Sequence, residues 1–163
     1  MMNINRIKKI SIEIIKKINR HSCAKLTKNN VNLNYNKNGI NDCRYDRINK
    51  INLINISIDN PEEDCLRTLV HELRHAQQNI LYYEFYLKNK HIKDIHNDVL
   101  EWKKVFENPD TYDELYCSIE YDANAYIYFF FNMYVEYNIC CLNKNPGIDE
   151  IKQIYLYMKK NNK

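Results

Sequence analysis

With 163 residues, 45% of them hydrophobic, the chain has room for one domain with a real core and not comfortably for two. Its six cysteines (Cys23, Cys43, Cys65, Cys117, Cys140 and Cys141) contain no CxxC pair, which argues against a disulfide framework and for reduced thiols in the cytoplasm. Charge is uneven: residues 1–50 hold 12 Lys/Arg against 3 Asp/Glu, a net of +9, and the rest hold 12 against 18, a net of −6. Twenty-five asparagines and only two glycines match an AT-rich coding sequence and carry no functional message of their own.

The first element expected is an amphipathic helix over about 3–19, with Ile4, Ile7, Ile14 and Ile18 as its stripe and Ile10 and Ile15 widening it. Isoleucine and lysine alternate too closely over 1–20 for the apolar region of a signal peptide. Val31, Leu33 and Tyr35 alternate with asparagines, the pattern of a half-exposed strand. Asn36-Lys37-Asn38-Gly39 reads as a hairpin turn, from which Ile40 to Tyr45 returns as a second strand. Ile51 to Ile58 is a third strand, with Ile51 and Leu53 on one face and Ile54, Ile56 and Ile58 on the other. At the following junction Asn60 can cap a helix, Pro61 suits its first turn, and Glu62, Glu63 and Asp64 favour its positive end. Cys65, Leu66, Leu69, Leu73, Ala76 and Ile80 then mark the apolar face of a helix of roughly 18–20 residues. A charged stretch, 88–111, contains Trp102 and a short helix ending before Asn108-Pro109. A second long helix is expected from about Tyr112 to Tyr137. Its apolar run, 125–131, stops at Asn132, short of the 18 or more residues that span a bilayer. A last helix, over 148–160, follows the Asn145-Pro146-Gly147 turn.

The chemistry is concentrated in His71-Glu72-Leu73-Arg74-His75, or HELRH. Residues four apart on a helix lie on one face, so His71 and His75 can point imidazole nitrogens at one Zn²⁺ while Glu72, beside the first ligand, can take a proton from water. Such a site needs a third protein ligand and an open position. Glu120, within Ser118 to Tyr126, is the strongest candidate, because a carboxylate among Leu115, Ile119, Ala123, Tyr126, Ile127 and Phe130 is costly to bury without a cation or donors. Packing of Ile119, Ala123 and Ile127 puts Glu120 at the edge of the inner face and sends Asp122 toward solvent or an arginine. His21, His91 and His96 are weaker candidates. Gln78 shares a face with His71 and can contact substrate or a ligand, and Arg74 can pair with Asp122 or a nearby carboxylate.

HELRH followed some 45 residues later by a helical glutamate resembles the gluzincin division of zinc metallopeptidases. The Glu120 to Asn124 run also resembles the small intracellular ImmA/IrrE type and related phage-borne domains. The resemblance covers roughly residues 31–135, although only the two helical motifs are specific. It implies His71, His75 and Glu120 as zinc ligands and Glu72 as the general base of peptide hydrolysis. Two departures stand out. Arg74 replaces a glycine frequent in the ImmA/IrrE type, and Asn124 stands where larger gluzincins carry an aspartate that holds a ligand histidine. The expected fold is a single α+β, zincin-like domain over 1–163: an amphipathic helix at 1–20, a catalytic core at 31–137 with a small antiparallel sheet, and the helix at 148–160. Strand 51–58 resembles the sheet edge on which such peptidases align a substrate. The partner implied is a peptide or protein. Two other functions stay open: a noncatalytic zinc-binding interaction protein, and a DNA-associated regulator that uses basic residues 1–50 to meet nucleic acid.

Overall fold

The computed structural model describes residues 4–20, 22–88, 96–108 and 118–133. The fold is α+β, and the chain divides into two compact units, residues 1–79 and 80–163.

The first unit runs α1 (Ile4–Ile18), β1 (Val31–Asn36), β2 (Asp42–Asp46), β3 (Ile51–Ser57) and α2 (Glu62–Asn79). Ile7, Ile14 and Ile18 of α1 are buried as their spacing predicts, while Ile4, at the helix start, is 37% exposed. The fourth buried position of the stripe is Ser11, whose hydroxyl donates to the Ile7 carbonyl at 2.7 Å and lies 2.5 Å from the Tyr35 hydroxyl. That bond ties α1 to β1, and burial raises the Tyr35 phenol above its ordinary range.

The sheet is mixed and ordered β1-β3-β2, which corrects the expected antiparallel arrangement. β3 pairs parallel with β1 and antiparallel with β2. The Asn36–Gly39 turn therefore joins no hairpin. It carries the chain past the end of β3, with Asn38 at φ 53° and its N–H on the Asp59 carboxylate. A Cβ on Gly39 would meet the Asn36 Cβ at 2.9 Å, so the turn needs glycine there. The hairpin lies between β2 and β3 instead. Asp46 Oδ1 accepts from the backbone N–H of Ile48 at 2.9 Å and of Asn49 at 3.0 Å, and Lys50 closes the turn at φ 57°. These bonds hold the Asp46 carboxyl below its usual range.

Composition explains the strand order. β3 brings Ile54 and Ile56, both fully buried, and takes the centre, where both edges are paired. β1 has exposed asparagines and β2 has Asp42, Arg44 and Asp46, so both suit edges. With β3 paired on both sides, it is not the open edge that the resemblance implied. The solvent-facing side of the sheet is a polar ladder: Asn34 donates to Asn55 at 3.3 Å, Asn55 to Asp42 at 2.5 Å, and Arg44 pairs with Asp42 at 2.5 Å. The opposite face, carrying Ile54 and Ile56, receives α2, which packs on β2, β3 and α1.

Helix α2 spans 18 residues, as its signals predict, with all three first-turn acids in place. Cys65, Leu66, Leu69, Leu73 and Ala76 are buried along it. The Cys65 thiol donates to the Ser57 carbonyl at 3.1 Å, so this cysteine serves packing.

In the second unit, Ile80–Tyr86 forms a π-helical stretch, unforeseen from the sequence, with Leu87 N–H donating to Tyr82 O at 3.0 Å five residues back. Aromatic contacts stabilise it. Tyr82 stacks on Phe106 with centroids 4.5 Å apart, and Tyr83 meets the same ring edge-on. α3 (His96–Glu107) buries Val99 and Trp102 and packs against the π-helical stretch and α4 (Ser118–Met133). Ile119, Ala123, Ala125, Tyr126, Ile127 and Phe130 are buried on α4. Among the described residues no helix is long and apolar enough to cross a membrane. The helix expected at 148–160 and the ends of the one expected at 112–137 lie outside the described residues.

Candidate metal centre

His71 and His75 follow each other by one helical turn on α2, and their Nε2 atoms are 2.9 Å apart. The rings meet edge to face, with centroids 4.5 Å apart and planes at 85°, and both residues are half-buried. Two imidazoles directed at one point are what a shared cation requires. Tetrahedral zinc at about 2.0–2.1 Å from each nitrogen would hold the pair about 3.3 Å apart, so a few tenths of an ångström of opening would admit it.

Glu72 is 7% exposed. Glu72, Ala76 and Asn79, at i, i+4 and i+7, share one side of α2, and Asn79 reaches Cys43 on β2. Burial pushes the Cys43 thiol well above its ordinary range, and the nearby negative charge of Glu72 pushes it further, so the thiol stays protonated. Cys43 belongs to a buried polar knot. Asn79 Nδ2 donates to Asn52 Oδ1 at 3.0 Å and approaches Cys43 Sγ at 3.8 Å, and Asn52 Nδ2 donates to the Asn30 carbonyl at 3.2 Å. The knot locks the end of α2 to all three strands' end of the sheet. Sequence reasoning missed Cys43, Asn52 and Asn79; the signal available was the strand alternation, which puts Cys43 and Asn52 on the face of Ile54.

The last turn of α2 buries two further amides. Gln77 donates to the Ala24 carbonyl at 3.3 Å and accepts from Arg74 at 3.2 Å, which shows one use of the half-buried Arg74. Gln78 is fully buried, with Oε1 2.8 Å from His75 Nδ1.

On α4, Glu120 is half-buried in the first turn, at the edge of the buried face, as expected. Asp122 is 8% exposed, so it is not directed to solvent. It shares a face with Ala125 and Tyr126, and α4 is covered there too. Asn124 is exposed. Among the described residues, one group of three possible metal-ligating side chains occurs: His71, His75 and Glu120, each offering an atom within 4.8 Å of the others. Two imidazoles and a carboxylate, with a position left open, are a donor set suited to zinc. His21 and His91 lie outside the described residues, as do Cys117, Cys140 and Cys141.

No protein-family model matches the chain, and no curated protein or solved structure matches it either.

Proposed function

We propose that this chain is a zinc-dependent metallopeptidase of gluzincin type, related in plan to the ImmA/IrrE and phage-borne peptidases, and that its 163 residues act as one cytoplasmic peptidase domain. The observation that carries the reading is the trio of His71, His75 and Glu120, with ligand atoms within 4.8 Å of one another and Glu72 next to the first of them. His71, His75 and Glu120 would hold the ion. When bound, zinc supplies Lewis acidity to water and to the scissile carbonyl. Glu72 accepts the proton of the attacking water on its carboxylate and delivers it to the leaving amine nitrogen as the peptide C–N bond breaks.

The substrate on this reading is a peptide or protein segment in extended form. β2 has no second neighbouring strand among the described residues, and α2 packs over it, so its outer edge is where a substrate strand would pair.

The test is an elemental analysis of purified protein, joined to digestion profiling of a broad peptide library by wild type and by Glu72→Gln. One zinc per chain and cleavage lost only in the variant is the expected result. Zinc bound without any cleavage by wild type would replace the peptidase with a noncatalytic zinc-binding protein.

A further inference from the structure

We propose that Gln78 is a positioning residue, whose side-chain carbonyl holds His75 in the tautomer protonated at Nδ1 and so presents the Nε2 lone pair for a metal. The inference rests on the reading of His71 and His75 as metal ligands.

Gln78 stands three residues after His75, on the next turn of the same helix face, and its side chain is fully buried. A buried amide oxygen calls for a donor, and the His75 ring nitrogen Nδ1 lies 2.8 Å from Oε1. A carbonyl oxygen can only accept, so the ring must donate from Nδ1. The neutral imidazole then has its lone pair on Nε2, which is the atom facing His71 Nε2 at 2.9 Å.

The reversed amide would undo the arrangement. With Nε2 of Gln78 donating to His75 Nδ1, the ring proton would sit on His75 Nε2, pointing at the place a metal must occupy. Binding would then require the buried amide to turn over. Outer partners that fix a ligand's tautomer command about 10–100-fold in metal affinity. An amide performs the orienting part of that task without adding negative charge. Asn124, the amide for which the resemblance suggested such a role, is exposed.

The experiment uses the full chain. Long-range ¹⁵N–¹H spectra of the histidine rings are recorded on metal-free wild type, Gln78→Leu and Gln78→Glu at about pH 8, above the ordinary imidazole range. Zinc affinity of each is measured by competition with a chromophoric chelator. Wild type is expected to show His75 protonated at Nδ1. Q78L should lose that preference and bind zinc about 10–100-fold more weakly. Q78E, which can still accept, should keep the Nδ1–H tautomer and bind zinc at least about tenfold more tightly than Q78L. A packing role alone would leave the tautomer unchanged in Q78L and make Q78E, with its buried charge, the worse variant. Finding the His75 proton on Nε2 in wild type would overturn the proposal, as would a Q78L protein with unaltered tautomer and affinity. If Q78L does not fold, the wild-type spectrum decides. Failure of the metallopeptidase reading would appear separately, as wild type that binds no zinc whatever its tautomer.

Discussion

Helix α2 is amphipathic and ends in three buried amides with named partners, whereas α4 buries apolar side chains on most of its circumference and sets Glu120 at the margin. On α2 the spacing of His71, Glu72 and His75 is fixed inside one rigid element, because helical geometry alone places the two histidines together. On α4 no local spacing links Glu120 to those residues, and a second acid, Asp122, is more deeply buried than Glu120. Local geometry thus fixes two of the three possible metal-ligating side chains, and no local pattern fixes the third.

The largest effect expected from breaking this division is chemical. Glu72→Gln keeps side-chain size but cannot accept a proton, so peptide turnover should fall at least about 10²–10⁴-fold. Bound zinc and the melting curve should stay unchanged. Turnover equal to wild type would remove Glu72 as the base.

Next in size is retention. Glu120→Ala should weaken zinc by more than the roughly 100-fold that an outer partner commands. Asp122→Ala should bind zinc nearly normally yet lose about 1–3 kcal/mol of stability, since its buried polar surroundings lose their partner. Chelator titration of both variants separates the two acids. Metal lost in D122A and kept in E120A would reverse their roles.

Removal of the ion should be felt by the fold as well. At a free zinc concentration 100 times the dissociation constant, binding stabilises the folded state by about 2.7 kcal/mol. A chelator should lower the melting temperature by several degrees, and His75→Ala should melt with the chelated wild type. A melting curve indifferent to chelation would mean that the ligands hold nothing.

The smallest effect lies behind the site, at Cys43. Its thiol is raised by burial first and by the charge of Glu72 second, so in the folded state it keeps its proton through the range where the unfolded thiol, near 9, has lost it. Above that pH the unfolded chain binds fewer protons than the folded one, and stability falls as pH rises. The slope is about 1.4 kcal/mol per pH unit for this one group. In metal-free protein, Cys43→Val should flatten urea-unfolding stability between about pH 9 and 10. An equal slope in the variant would place the loss elsewhere, for example at the raised tyrosines Tyr35 and Tyr82.

What could be read in advance follows the same division. His71, Glu72 and His75, the bounds of α2 and the stripe of α1 are local patterns, and the sequence carries them openly. Glu120 rests on helix phase plus resemblance, and the same phase sends Asp122 toward solvent or an arginine; it is not in solvent, because it stands only about 100° from the buried Ala123 on a helix covered on several sides. The sheet order was not local at all. Asn36–Gly39 has the residues of a hairpin turn, yet the apolar demand of Ile54 and Ile56 for a central strand prevailed, and the true hairpin hides in Asp46–Lys50, which lacks glycine. The π-helical stretch depends on Tyr82 and Phe106 meeting across 24 residues, beyond the reach of any periodicity.

The strand order also bears on how the chain reaches its native state. β2 and β3 are joined by the four-residue Arg47–Lys50 turn, and such hairpins close in about 1–10 microseconds. β1 precedes both, yet among the described residues it pairs only with β3, in a parallel ladder that joins Val31 to Asn52. It cannot pair until the later strand exists, and its loop-closure entropy must be met before that ladder gives anything back. During synthesis the N-terminal strand therefore waits, unpaired, for a hairpin made after it. Its asparagines at 32, 34 and 36 keep the waiting strand hydrated and a poor template for strands of other chains.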